Sequence, residues 1–309
     1  MRPGGRARAF WIFLAVSLCA GLTLAGFMAP DFVSSPVRAN AYLGPLDSPP
    51  FGTDNRGIAL VEYALQGAKI VALPSLAAGL VVMIFAVIAG TIRCAGMQSV
   101  DTVIQGLSEI VGALPRLVVV LVAALMLPNA VMYLDRALED MAQGAGGVTS
   151  TMVAIAQILM PNDSKSLMPI AIVWAFLAAP GAMDEAAATA GRLGGARFVE
   201  ALRAHGFSAP RIYLYHVIWL NLRPVIFRQG AEVTMQVVFL EIALSYLAVS
   251  TNEPSFTHPE STYSWATLLY QGFTALMGEN LYHSMWTGLF LVAMVALMAQ
   301  SVRLAARAR

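Results

Sequence analysis

Long apolar runs alternate with polar segments along the whole chain. A run of about 20 apolar residues can cross a bilayer as a helix, because a helix satisfies its own backbone hydrogen bonds in lipid. The alternation therefore predicts an all-α integral membrane protein. Six transmembrane helices are expected, at 9–30, 70–92, 117–134, 167–183, 229–250 and 283–302.

Two stretches of this pattern allow more than one interpretation. The run 9–30 follows three arginines, as the apolar part of a secretory signal peptide does. It is longer than the roughly 7–15 apolar residues typical of such a peptide, and we interpret it as a transmembrane helix. The segment 135–166 contains an apolar stretch too short to cross the bilayer. An interfacial or re-entrant helix, within an insertion between two spans, is the better interpretation.

Composition supports a membrane protein. Hydrophobic residues make up 58% of the chain and charged residues 12%, with a mean hydropathy of +0.68. A soluble fold could not bury that much apolar surface. The chain has only two lysines and no basic cluster interleaved with aromatic residues, so nothing indicates nucleic-acid binding. Cys19 and Cys94 lie far apart in the sequence and suggest neither a disulfide framework nor a metal site.

The distribution of charge predicts the orientation. With the N-terminus inside, the segments 1–8, 93–116, 184–228 and 303–309 hold fourteen of the nineteen lysines and arginines. Acidic residues follow the opposite distribution, with five inside and eleven outside. The positive-inside rule therefore favours a multi-pass protein with both termini in the cytoplasm.

The segment 184–228 is the most distinctive part of the chain. It contains six of the seventeen arginines and no lysine, which suits a cytoplasmic loop. Gly206 separates two helical halves, and the second half begins with Ser208 as a possible N-cap and Pro210 in its first turn. A helix that ends at a glycine and is followed by a capped helix forms a tight elbow facing the aqueous phase. Such a corner is expected to dock against a partner.

This loop resembles the "EAA" loop of bacterial ABC-importer permeases. The matching residues are Glu200, Ala201, Gly206, His216, Val217, Ile218 and Pro224. In that family the loop forms a coupling helix that seats in a cytoplasmic ATPase subunit, so the resemblance implies an ATPase-coupling role for Glu200, Ala201, Arg203 and Gly206. Two departures are Leu202, where the family has a second alanine, and Trp219, where it has proline. Without the family, the segment is an amphipathic cytoplasmic loop.

A second stretch is similar to the "GTD" segment that follows the first helix in C-type permeases of dipeptide, oligopeptide and nickel importers. It comprises Gly52, Thr53, Asp54, Gly57 and the run 67–70. The Arg-Asp pair usual in the family is replaced by Ile58 and Ala59. Without the family, Asp54 and Gly57 simply form a turn. Residues 240–247, Ser264-Trp265 and Gly272 also match the family pattern.

Glu241 stands out as a carboxylate deep within an apolar span. Such residues usually face a bundle interior or a water-filled cavity. One interpretation places Glu241 and Ser245, one helical turn apart, on a translocation path. The other is a structural carboxylate that is protonated or hydrogen-bonded to a neighbouring helix.

The resemblance implies a type I ABC-importer permease in the bacterial inner (cytoplasmic) membrane. Residues 1–69 would form the first helix and the extracytoplasmic GTD segment, and residues 70–309 the permease core. The implied partners are a second, B-type permease, two cytoplasmic ATP-binding subunits, an extracytoplasmic solute-binding protein and membrane lipid. The expected cargo is di- or oligopeptides, with nickel or another small solute as the alternative.

The chemistry in the sequence fits a transport component rather than an enzyme. Neither Lys69 nor Lys165 follows a glycine, so the chain has no P-loop. ATP and Mg²⁺ are therefore expected on the partner ATPases, and no cofactor on this chain. No H-E-x-x-H or G-x-S-x-G pattern occurs. A different class of function also fits, namely a membrane scaffold or sensor that keeps the permease fold without transporting.

Overall fold

The chain is mainly helical. The structure, a computed structural model, describes residues 4–28, 37–54, 56–124, 126, 167–195, 197–250, 265, 268–269 and 283–307. The α-helices of this part are α1 (Gly4–Met28), α2 (Leu60–Ala95), α3 (Gln98–Gly112), α4 (Arg116–Ala124), α5 (Leu167–Gly194), α6 (Arg197–Ala204), α7 (Arg223–Ser250) and α8 (His283–Arg307). A π-helix occupies Arg211–Leu222 and a 3₁₀ turn Arg38–Asn40. Within the described residues the only β-type pairing is a bridge between Thr53 and Ala59.

Several of these helices suit a multi-pass membrane protein. By length and composition, four described stretches could each cross a membrane: Ala9–Met28, Leu60–Ala95, Leu167–Gly194 and Met285–Ala305. A fifth span would result if α3 and α4, which are bent by 75° at a short break, count as one. The predicted span 229–250 lies within α7. The all-helical membrane class agrees with the sequence analysis, and the number of six spans stays a prediction.

The helix boundaries differ from the predicted ones at two places. Helix α2 begins at Leu60, so the expected division at residue 69 falls inside a helix of 36 residues. At 1.5 Å per residue that helix is about 54 Å long, well beyond the roughly 30 Å of hydrocarbon. Lys69 precedes the apolar run 70–92 but does not mark the start of a helix. The predicted loop 93–116 is largely helical as well, because it contains α3. The segment 135–166 lies outside the described residues.

Helix α2 is the centre of the described bundle. It packs against α5 and α7 on one side and against α1 on another, and α8 packs against α1 and α7. Its contact with α7 is close because both helices carry glycine there. A Cβ atom added to Gly79 would lie 2.3 Å from Oγ1 of Thr234 and 2.8 Å from the carbonyl oxygen of Gly230. Small residues at such crossings let helix backbones approach, as is common in membrane proteins.

Candidate functional site

The candidate site is the elbow between α5 and α7, and its base is fixed by polar contacts. The Glu185 carboxylate of α5 accepts hydrogen bonds from Arg228 and Gln229 of α7. The neighbouring Asp184 accepts a hydrogen bond of 3.2 Å from the Ser108 hydroxyl of α3. The two ends of the predicted loop 184–228 are therefore held together by the contact between Glu185 and Arg228.

Helix α6 forms the first arm of the elbow and is amphipathic. Val199 is fully buried, and Leu202 packs partly buried against the main hydrophobic core. Glu200, Ala201 and Arg203 are exposed on the remaining surface. Leu202, which departs from the family pattern, thus anchors the arm to the bundle, a role that alanine could fill only weakly because it offers less apolar area.

Gly206 ends this arm in the backbone conformation that the sequence predicts. Its φ angle is +79°, in the left-handed region that glycine adopts without strain. The Gly206 amide donates to the Arg203 carbonyl at 2.9 Å, and the Phe207 amide donates to the Leu202 carbonyl at 3.2 Å. These two bonds make a Schellman motif, which satisfies carbonyls at the helix end. Gly206 thus follows the end of a helix, as predicted, but the first half of the loop is not one helix, because α5 ends at Gly194 and α6 begins at Arg197.

The second arm contains the π-helix Arg211–Leu222. Wide turns of this kind are rare and are usually confined to a single turn, often near functional sites. The two arms are braced by side chains across the corner. Nη2 of Arg203 donates to the Tyr213 hydroxyl at 2.5 Å, and the Arg211 guanidinium lies 5.0 Å from the Phe207 ring centroid. The edge of the His216 ring also contacts the Phe207 ring.

Helix α6 has one exposed acidic side chain and one exposed aromatic side chain. Glu200 is exposed, and its carboxylate makes no hydrogen bond or ion pair with a described residue. Phe198, two positions earlier, is 37% exposed. Two positions apart on a helix, the two side chains lie on different flanks of α6. An exposed carboxylate can bind a basic cleft in another protein. Arg203 differs from Glu200, because its guanidinium already bonds Tyr213 and so braces the elbow.

The GTD segment forms a compact, hydrogen-bonded turn before α2. The Asp54 carboxylate is only 2% exposed overall and accepts three hydrogen bonds. The donors are the amides of Arg56 and Ile58, each at 2.8 Å, and the Tyr63 hydroxyl at 2.5 Å. A carboxylate with this many donors is held firmly in place, since charge-assisted hydrogen bonds are stronger than neutral ones.

The other residues of the GTD segment complete this turn. The Thr53 hydroxyl donates to the Asn40 carbonyl at 2.5 Å and accepts from the Leu43 amide at 2.8 Å. Gly52 and Gly57 have φ angles of +91° and +82°, and a Cβ on either would lie within 2.4 Å of a carbonyl oxygen. All four predicted residues therefore lie in one turn, as the interpretation without the family expects. Each of them has a structural role in that turn, through a hydrogen bond or a positive φ angle.

Glu241 lies on α7, thirteen residues beyond Arg228 and so about 20 Å further along the helix. Its side chain is fully buried within the chain. Burial of this kind fits a structural carboxylate, and both interpretations of Glu241 stay predictions. The side chain of Ser245 lies outside the described residues.

Three contacts in the elbow and the GTD segment were not expected from the sequence. They are the Glu185–Arg228 pair, the Arg203–Tyr213 brace and the Asp54–Tyr63 hydrogen bond. The last two contacts join residues ten and nine positions apart, close to the EAA-like and GTD motifs. In each case a tyrosine near the motif was the one sign in the sequence that such a hydrogen bond could form. Within the described residues, no group of three or more His, Cys, Asp or Glu side chains is arranged to hold a metal ion.

Comparison with known proteins does not identify a family, because no protein-family model and no curated protein matches the chain.

Proposed function

We propose that the chain is one of the two permease subunits of an ATP-driven, binding-protein-dependent importer in the bacterial inner membrane. Its cargo class is di- or oligopeptides. The chain forms half of the translocation path, pairs with a second permease of the B type, and receives solute from an extracytoplasmic binding protein. It binds two cytoplasmic ATPases together with that second permease, and the ATPases hold the ATP and Mg²⁺.

The observation that carries this proposal is the construction of the elbow. A short amphipathic helix is anchored by Val199 and Leu202, turned by Gly206, and set on a base closed by Glu185 and Arg228. Glu200 remains exposed on its outer side. The elbow is attached to α5 and α7 at its base and exposes α6 at its outer end. This arrangement suits the transmission of motion from a docked partner to α5 and α7.

The mechanism follows from this connection. Closure of the ATPase pair on ATP would move the seated helix α6. Only two residues of sequence separate α6 from α5, and six separate it from the π-helix. Motion of α6 would therefore reach the helices α5 and α7. ATP drives the permease from inward- to outward-facing only if the closed ATPase pair binds the second state more tightly. The elbow is where this difference in affinity is expected to arise.

Co-purification tests the proposal directly. The full chain, tagged and expressed with its neighbouring genes, should recover two ATPases and a second permease in one detergent-stable complex. In proteoliposomes, that complex should accumulate peptide only when ATP and the binding protein are both present. A chain that recovers no ATPase would instead fit a scaffold or sensor. Nickel uptake without peptide uptake would keep the permease but change the cargo.

A further inference from the structure

Two apolar grooves flank one arginine at the start of α7. Trp219, Arg223 and Phe227 lie four residues apart and line both grooves, so they form a ridge between them. The larger groove, of about 570 Å³, runs along α1 and the end of α8. The smaller groove, of about 290 Å³, runs along α2. The two grooves therefore share this ridge, and their remaining walls come from different helices.

The walls of both grooves are almost wholly apolar. The larger groove is lined by aliphatic and small residues such as Ile12, Val16 and Ala20, with Thr23 as a polar exception. The smaller groove is lined by Leu80, Ile84 and other aliphatic side chains of α2. Apolar channels of this kind suit hydrocarbon chains, since a polar ligand would lose its hydrogen bonds to water there without gaining others.

Among the described residues that line the two grooves, Arg223 is the only charged one. Its guanidinium makes no hydrogen bond or ion pair with any described residue, in contrast to Arg203 and Arg228. An arginine beside apolar surface, with none of its five donors bonded to a described residue, favours an anionic ligand such as a phosphate. Trp219 is 56% exposed beside it, and tryptophan is enriched where lipid headgroups meet hydrocarbon.

We propose that this ridge binds one anionic diacyl phospholipid. Its phosphate bonds Arg223, and one acyl chain lies in each groove. A phospholipid has one anionic headgroup and two acyl chains, which matches one cation on a ridge shared by two apolar grooves. The site lies at the end of the 184–228 segment, on the side where the charge distribution predicts the cytoplasm. Basic pockets between helices on that side are common lipid sites. Trp219, which departs from the EAA pattern, is then part of the lipid-binding site.

Lipid retention measured by native mass spectrometry tests this inference. The full chain is purified in detergent and exposed to phosphatidylglycerol or phosphatidylcholine with identical acyl chains. We expect one phosphatidylglycerol to be retained in preference to phosphatidylcholine. Arg223→Gln should lower that retention about fivefold, because one basic residue near anionic lipid contributes about 1 kcal/mol. Arg223→Lys should keep most of it.

Matched controls separate the site from general charge and from protein contacts. Arg192→Gln removes an exposed arginine of α5 that lines neither groove, and should leave retention unchanged. Ala20→Trp fills the larger groove at an exposed position and should lower retention without altering charge. Equal retention of both lipids, or equal effects of Arg223→Gln and Arg192→Gln, would overturn the proposal. So would a groove occupied by a second protein chain with no lipid. Lysophosphatidylglycerol bound as well as the diacyl form would refute the use of two grooves.

Discussion

The indole of Trp265 lies against the backbone of α2 at Gly67. A Cβ atom on Gly67 would come within 2.1 Å of the indole Cδ1, so only glycine leaves room for the ring. The indole nitrogen donates to the Ala64 carbonyl at 3.0 Å, and the ring is 2% exposed. Residues about two hundred positions apart are thereby locked together. The contact joins two stretches that the sequence analysis singled out separately.

Gly67→Ala is therefore expected to destabilise the protein. The added methyl group must displace a buried indole and break its hydrogen bond, at a cost of about 1–3 kcal/mol. The melting temperature in detergent should fall, and the tryptophan fluorescence should shift as Trp265 becomes more exposed. Gly181→Ala is the matched control, since Gly181 also lies within a helix and a methyl group there would meet nothing within 4 Å. An unchanged melting temperature for Gly67→Ala would contradict the close packing.

Disruption of the hydrogen-bonded GTD turn should also lower the stability of the protein. Tyr63→Phe removes one of the three donors to the Asp54 carboxylate, and Asp54→Ala removes the acceptor of all three. Hydrogen bonds to a charged group contribute about 1.5–3 kcal/mol each, so Asp54→Ala should be the more damaging change. A double-mutant cycle measured by thermal denaturation would show a coupling energy between the two residues. Asp47→Ala, at an exposed position of the same segment, serves as the control. Additive effects would mean that the hydrogen bond contributes nothing measurable.

The site could be predicted from the sequence only where it depends on local chemistry. Gly206 was recognisable because a helix that ends in a left-handed residue selects glycine, whatever surrounds it. The Asp54 turn was recognisable for the same reason. Contacts between distant segments left no such signal. Glu185 and Arg228 are 43 positions apart, and nothing in the residues between them specifies that α5 and α7 bring them together. The length of α2 was not predictable from its apolar run, because the run begins after Lys69 whereas the helix begins at Leu60.

Membrane orientation can be tested at residues that the structure shows to be accessible. Asp54 is buried, so it is a poor labelling site, whereas Leu46 in the same segment is 95% exposed. With Cys19 and Cys94 replaced by alanine, Leu46→Cys should react with an impermeant maleimide in intact cells. Arg197→Cys should react only after lysis. Labelling of position 197 in intact cells, with protection of position 46, would reverse the orientation and place the elbow outside.

The last prediction concerns the elbow as a joint between ATP hydrolysis and transport. Gly206 has open space around it, so Gly206→Val introduces no clash. Its φ angle of +79° is nonetheless unfavourable for a β-branched residue, at a cost of about 1–3 kcal/mol, and the corner should open to relieve this strain. Gly206→Asn is the matched control, because asparagine tolerates the left-handed region. Glu200→Arg leaves the fold intact at an exposed position but reverses the charge offered to a docked ATPase.

Both Gly206→Val and Glu200→Arg should therefore insert, pair with the second permease and bind the solute-binding protein, yet hydrolyse ATP without importing solute. ATPase activity and import measured on the same reconstituted sample would show this uncoupling, and Gly206→Asn should remain coupled. The two variants would also differ from each other. A straightened corner should impair transmission with the ATPase still bound, whereas a reversed charge should weaken ATPase binding itself and be more sensitive to salt. Full coupled import by both would mean that α6 does not transmit the ATPase motion, and the proposed function would lose the observation that carries it.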